Sequence, residues 1–177
     1  MIYIKYLLSL PLDIAMKLIG LVVAPIVSLS VSKDGYLPDW LSWFETPDSN
    51  MFGLYGDAGF YNEYQDLTHM PLGRWWVCTL WQWRNTAQGF STFALGVDEH
   101  DLIIDKYRRT GEGDLIKYFV TVKDLSGKIR AFEFKGAFKW PGLNLRFRWR
   151  LGWKLNWHKD LPAQYVFSVS PFLSLEA

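Results

Sequence analysis

Between Leu143 and Trp157 every odd position is apolar: Leu143, Leu145, Phe147, Trp149, Leu151, Trp153, Leu155 and Trp157. The even positions are Asn144, Arg146, Arg148, Arg150, Gly152, Lys154 and Asn156. A period of two requires an extended chain with one dry and one wet face. At roughly 3.3 Å per residue the run reaches about 50 Å, beyond an ordinary strand. Gly152 is therefore expected to bulge or bend it, splitting it into two strands or curling it over a core.

The flanking segments repeat the pattern. Leu102–Arg108 is strand-like and Gly111–Gly113 is a turn. Ile116, Tyr118, Val120 and Val122 alternate with Lys117, Phe119, Thr121 and Lys123. Asp124–Gly127 has hairpin-loop composition. Phe132, Phe134, Phe138 and Trp140 then alternate with Glu133, Lys135 and Lys139, with Gly136 at an expected bulge. Pro141-Gly142 turns the chain into the long run, and Tyr165, Phe167 and Val169 mark a last strand after His158–Pro162. Short loops between successive strands predict an antiparallel meander of five to six strands. One face is expected to be apolar. The other should gather Lys117, Lys123, Lys135, Lys139, Arg146, Arg148, Arg150 and Lys154.

The first 33 residues are of another kind. Met1–Val31 is mostly apolar, interrupted by Lys5, Asp13 and Lys17, and Leu18–Ser32 carries no charge. A spanning helix needs about twenty apolar residues, more than this clean stretch supplies. Read from Ile2 the segment is long enough, but it then includes Asp13 and Lys17, which at a spacing of four share a helix face and can pair. Pro11 and Pro25 predict two short helices, one over about 12–24 and one before it. Three readings compete: a secretory signal, a span or re-entrant hairpin, and a core helix. No small-x-small cleavage site precedes Lys33, which counts against the signal. A membrane-inserted or membrane-surface segment is the expectation.

Residues 34–101 are acidic and aromatic. Pro38 opens a short aromatic helix or turn over Asp39–Phe44, followed by the loop Thr46–Asn50. Asp48, Asn50 and Asp57, near Gly53 and Gly56, are oxygen donors of the kind a calcium ion takes. Their spacing is not that of a calcium loop, and an ordinary acidic loop is the alternative. Arg74–Gln88 has helical length, with Gly89 as its expected stop. Trp76, Leu80, Trp83 and Ala87 fall on one side, with Trp75 beside them. Arg74, Trp75, Trp76, Trp83 and Arg84 would suit a helix lying among lipid headgroups; indoles packed against a sheet are the other reading.

The ten Trp, nine Tyr and twelve Phe exceed what a 177-residue core requires. Such rings are favoured where one end is dry and the other wet. The net charge of +1 conceals blocks of +2 over residues 1–33, −8 over 34–116 and +7 over 117–177. These blocks satisfy each other within the fold or face different partners. The single cysteine, Cys78, excludes an internal disulfide framework and a cysteine-rich zinc site. His69, His100 and His158 have no metal-ligand spacing. A nucleophile elbow and a phosphate-binding glycine loop are both missing. An acid/base pair assembled from distant residues such as Glu45 and Asp57 is the remaining route to catalysis. In the long run the aromatics and cations take opposite faces, whereas a single-strand nucleic-acid platform needs them together. A basic face opposite an apolar one fits anionic lipid, or the acidic middle of the chain.

The stretch Leu37-Pro38-Asp39-Trp40-Leu41-Ser42-Trp43-Phe44-Glu45-Thr46-Pro47-Asp48 resembles a family of small uncharacterised tailed-bacteriophage proteins. Their LPxWLxxFxTPD-like segment follows an apolar N-terminus. Arg84-Asn85-Thr86-Ala87-Gln88-Gly89-Phe90 matches their RNxAxGF segment, and Gly152-Trp153-Lys154 their late GWK. The resemblance keeps this order over most of the chain. Many members of that family place further Asp and Gly residues just after the TPD, from which Ser49–Gly53 departs. The resemblance implies a viral origin and no reaction.

Together these features predict an α+β protein: short apolar N-terminal helices, one aromatic-rich helix and a C-terminal antiparallel meander. Residues 1–33 would form an apolar helical segment and 34–177 a single domain, with 34–101 helical and looped and 102–177 the sheet. The expected function is that of a non-enzymatic phage protein at the host inner membrane, partnered by lipid or by another phage or host protein and using no cofactor. The alternatives are a virion component, such as a minor tail or capsid-associated protein, and third a small hydrolase.

Overall fold

The computed structural model describes residues 2–55, 57–155 and 160–174. The chain divides into two compact units, Met1–Leu8 with Gly96–Ala177, and Ser9–Leu95. The apolar N-terminal segment thus contributes to both units.

The first unit is an antiparallel sheet in the order β1 (Ile103–Thr110), β2 (Lys117–Lys123), β3 (Ile129–Lys139), β4 (Leu145–Lys154) and β5 (Gln164–Ser174). The class is α+β, and the meander has five strands. The period-two run is β4, and its last positions, Asn156 and Trp157, lie outside the described residues, as does His158.

Gly152 does not split β4. It pairs in register with Glu133 on one side and Val166 on the other. Its φ is +105°, and a Cβ there would lie 2.1 Å from the Phe132 carbonyl oxygen. Glycine is what lets the strand run through this point at full length. Gly136 also stays within its ladder, opposite Trp149, where a Cβ would meet the indole at 2.4 Å. The ring occupies that space and stacks on Phe134 at 5.9 Å.

The aromatic face of the sheet carries Phe132, Trp153 and Tyr165, all buried. Tyr6, from the start of the N-terminal helix, stacks on Tyr165 at 4.8 Å and meets Trp153 and Phe132 edge-on at 5.7 and 5.3 Å. The Tyr6 hydroxyl donates to the Val166 carbonyl at 3.0 Å, and the Tyr165 hydroxyl donates to the Tyr6 carbonyl at 2.9 Å. Two phenols are thereby buried with both hydroxyls satisfied, so the apolar gain of about 2 kcal/mol per ring carries no polar penalty.

The second unit is helical. The expected pair of short N-terminal helices is instead one α-helix, α1 (Ile2–Val27), with Pro11 and Pro25 inside it. A short 3-10 helix, Asp39–Phe44, forms at the aromatic segment. Next comes α2 (Ala58–Tyr64), whose Phe60 N–H is capped by Asp57 at 2.9 Å. Pro71 opens α3 (Pro71–Arg84), its missing N–H costing nothing in the first turn. Asn85, not Gly89, follows its last residue, and Ala87 at φ 49° turns the chain away before a single π turn, Phe90–Ala94. The core joins Val27, Leu37, Leu41, Met51, Phe52, Phe60, Val77 and Trp81. The Trp81 indole N–H is satisfied by the Thr46 hydroxyl at 2.8 Å.

Candidate functional site

The helical unit exposes the most unusual surface. In the part of α1 that belongs to this unit, from Ser9 on, the polar side faces inward. Asp13 is fully buried, accepting from Lys17 Nζ and from the Ser91 hydroxyl, each at 2.7 Å. Ala24 and Val27 are buried on the same side, and Ser28, just beyond the helix, accepts from Gln82 at 3.1 Å. The opposite side, Pro11, Ala15, Leu18, Val22 and Ile26, is apolar and exposed, Val22 at 77 %. Within the sheet unit Ile4, Leu7 and Leu8 are exposed in the same manner. Among the described residues one helix, Ile2–Ser30 with its 3-10 extension, is apolar and long enough to cross a membrane.

Three of the expected interfacial residues gather along α1. The Trp75 indole donates to the Pro25 carbonyl at 2.7 Å and the Trp83 indole to the Leu21 carbonyl at 3.0 Å. Trp76 sits between them, 6.0 Å from Trp75 and 6.1 Å from Trp83, and is partly exposed. The two arginines do not join them. Arg74 Nη1 donates to the Thr68 carbonyl at 3.5 Å, and Arg84 pairs with Asp57 and lies over the Phe60 ring at 5.9 Å.

The oxygen donors of the acidic loop serve the backbone. Asn50 Oδ1 accepts from the N–H groups of Phe52 and Leu54 at 3.2 and 3.0 Å, and Asn50 Nδ2 donates to the Asp34 carbonyl. Asp57 caps α2, and the Phe60 N–H above all, with Arg84, holds its carboxyl below the usual range. Asp48 is exposed. Among the described residues no three His, Cys, Asp or Glu side chains converge as a metal would need. Glu45 accepts from the Leu37 N–H at 2.9 Å, and burial pushes its carboxyl up. Glu45 and Asp57 are thus each engaged with other groups.

In the sheet unit, the register puts Lys135, Lys139, Arg146, Arg148, Arg150 and Lys154 on one face of β3 and β4. Lys117 is corrected to the other face. Tyr118 is the residue opposite Lys135, so Lys117 and Lys123 point the same way as Phe119, and Lys123 pairs with Asp105 at 3.2 Å. On the basic face Glu133 is buried, and its Oε1 accepts from both Arg150 Nε and the Tyr118 hydroxyl. Its Oε2 accepts from the Leu155 N–H at 3.1 Å. Burial first, then the Glu133 carboxylate, pushes the Tyr118 phenol well above its ordinary value.

A model for a family of unknown function, DUF7338, matches residues 1–176. The chain belongs to this family. None of the curated proteins and none of the solved structures matches it. The family carries no stated activity.

Two groupings escape the sequence pattern. Ser91 reaches Asp13 across 78 positions, and Tyr118 and Arg150 reach Glu133 across 15 and 17. A signal for the second is present. Glu133 is the one acidic residue within a strand run otherwise made of aromatics, small residues and cations, and a carboxylate in such a strand needs a cationic neighbour.

Proposed function

We propose that the chain is a non-enzymatic bacteriophage protein held on the host inner membrane by α1. The observation that carries this reading is the outward apolar side of α1, whose polar groups Asp13 and Lys17 are paired on its inner side. A water-facing amphipathic helix has the reverse polarity. Submerged among acyl chains, Leu18, Val22 and Ile26 would each contribute roughly 1–2 kcal/mol, an estimate from the area removed from water. Because one side of the helix packs on its own unit, the arrangement fits a helix lying along the bilayer better than one crossing it. Trp76 and Trp83 flank that side at a level suited to headgroups. The phage origin is supported by the LPxWLxxFxTPD-like, RNxAxGF and GWK segments.

The test is fractionation of cells expressing the full chain, with carbonate and detergent extraction. Deleting residues 1–32 would remove Tyr6 and Asp13 from their cores, so Leu18→Glu with Val22→Glu is the sharper variant. The wild type should pellet with membranes and need detergent, and the double variant should become soluble while keeping its circular dichroism. A soluble, folded wild type would end the membrane reading.

A second reading is a virion component. It is favoured by aromatic residues exposed on the sheet unit, among the described residues Phe172, at 70 % exposure and stacked on Trp140 at 6.2 Å, with Phe138 beside Trp140. Such surface suits a protein interface. Detection of the chain in purified particles would select this reading.

A further inference from the structure

The sheet sets like charges against each other. Lys135 lies directly opposite Arg150, and Lys139 directly opposite Arg146. Like charges in facing positions destabilise a ladder. Glu133 answers Arg150, and the Tyr118 hydroxyl and the Leu155 N–H take up its other lone pairs. Among the described residues no carboxylate pairs with Lys135 or Arg148. Burial first, then Arg148 and Arg150, against the attraction of Glu133, holds the Lys135 ammonium below its ordinary pKa. The row continues into β5, where Ser168 faces Arg150 and Ser170 faces Arg148. The buried Ala137, opposite Arg148, leaves a low floor beside Lys135.

We propose that this face is an anion site, in which Lys135 and Arg148, with Arg150 held by Glu133 and the Ser168 and Ser170 hydroxyls alongside, bind one phosphate group. A tetrahedral phosphate sets its oxygens in three dimensions, so that a guanidinium fork, an ammonium and the two hydroxyls reach it from separate directions, which a planar carboxylate does not allow. Nucleic acid is the poorer fit. The aromatic ring in this row, Tyr118, lies under Lys135 Nζ at 6.0 Å and its hydroxyl is held by Glu133, so it is not open to a base. The phosphate comes either free in solution or as a phospholipid headgroup. The site does not rest on the membrane reading above.

The experiment uses the full chain in non-ionic detergent, as wild type, Lys135→Gln and Arg148→Gln. Thermal unfolding is followed in sodium phosphate and in sodium chloride at equal ionic strength. In chloride the variants should melt no lower than wild type, because each substitution removes a repulsion. In phosphate the wild type should show a saturable rise in Tm, with apparent affinity at least about tenfold weaker in each variant, as expected for loss of a charge-assisted contact. Phosphate also stabilises proteins generally, but that effect is the same in all three chains. The second arm is sedimentation with phosphatidylcholine vesicles with and without phosphatidylglycerol. A phosphatidylglycerol-dependent gain that the variants lose, with neutral vesicles bound equally, assigns the phosphate to a headgroup. A phosphate response without that gain assigns it to a free anion. Variants indistinguishable from wild type in both arms would overturn the site. Failure of the wild type to bind neutral vesicles would count against the membrane reading alone.

Discussion

The indole N–H of Trp83 donates at 3.0 Å to the carbonyl of Leu21, the carbonyl that Pro25 deprives of its intrahelical donor. In an α-helix the N–H four residues on closes each carbonyl, and proline has none. A side chain 62 positions away in sequence supplies the missing donor, and Trp75 does the same at the Pro25 carbonyl near the helix end. This is why α1 continues through Pro25, where the sequence predicts a break.

Trp83→Phe keeps most of the ring and removes the donor. It should lower unfolding free energy in urea by about 1 kcal/mol. In a Pro25→Ala background, where the substitution restores a backbone N–H that reaches the same carbonyl, the loss should shrink to a few tenths. An equal loss in both backgrounds would show that the indole acts by packing alone.

The Asp13–Lys17 pair predicts an asymmetry. Asp13 has no exposed surface, while the Lys17 side chain retains 32 %. Lys17→Met leaves a buried carboxylate with only the Ser91 hydroxyl and should cost about 3 kcal/mol. Asp13→Ala leaves an ammonium that can reach water, and should cost about 2 kcal/mol. Denaturant titration of both variants gives the order directly, and the reverse order would contradict this burial.

Tyr118 makes the sheet unit sensitive to alkali. Its phenol is held protonated in the fold, by burial first and then by Glu133. A folded-state pKa above the unfolded value, about 10 for tyrosine, stabilises the fold below that pH. The contribution is lost as pH rises above about 10 toward the folded value. Wild-type stability should therefore fall more steeply than that of Tyr118→Phe between about pH 9.5 and 11, measured by urea titration at each pH. Parallel slopes would refute it.

Gly152→Ala tests the long strand. The φ of +105° and a Cβ 2.1 Å from the Phe132 carbonyl oxygen cannot both be relieved by side-chain motion. The variant should lose about 3 kcal/mol or more, read from its urea midpoint, and lose amide protection first where β3 and β4 pair. A neutral effect would mean that β4 bends freely there.

The sheet is legible because a period of two is a local property. Each of Phe132, Trp149 and Trp153 declares its face through its immediate neighbours, and five strands follow from that alternation. The helix boundaries are less so. Apolar spacing predicts a helix over Arg74–Gln88, but Pro71 starts α3 and the backbone turn at Ala87 lies beyond its end. The Trp75–Trp76–Trp83 group is visible as residues and not as an arrangement, because the partners of Trp75 and Trp83 are carbonyls of α1, which no side-chain pattern marks. Lys117 is misplaced when every cation of the strand region is assigned to one face; only the pairing of Tyr118 with Lys135 sets the parity of β2 against β3.

By itself the sequence determined the α+β class, the alternating strands, the apolar helix and the separation of aromatic from basic positions along β4, since all of these arise from periodicity and composition within one segment. Only the tertiary structure decided that α1 is a single helix, that Asp13 and Lys17 turn inward, that Glu133 answers Arg150, and that Lys135 faces Arg150 across the ladder. Those outcomes depend on donors and charges brought from distant positions, and a proline or a buried carboxylate is tolerated or not according to the partner the fold delivers to it.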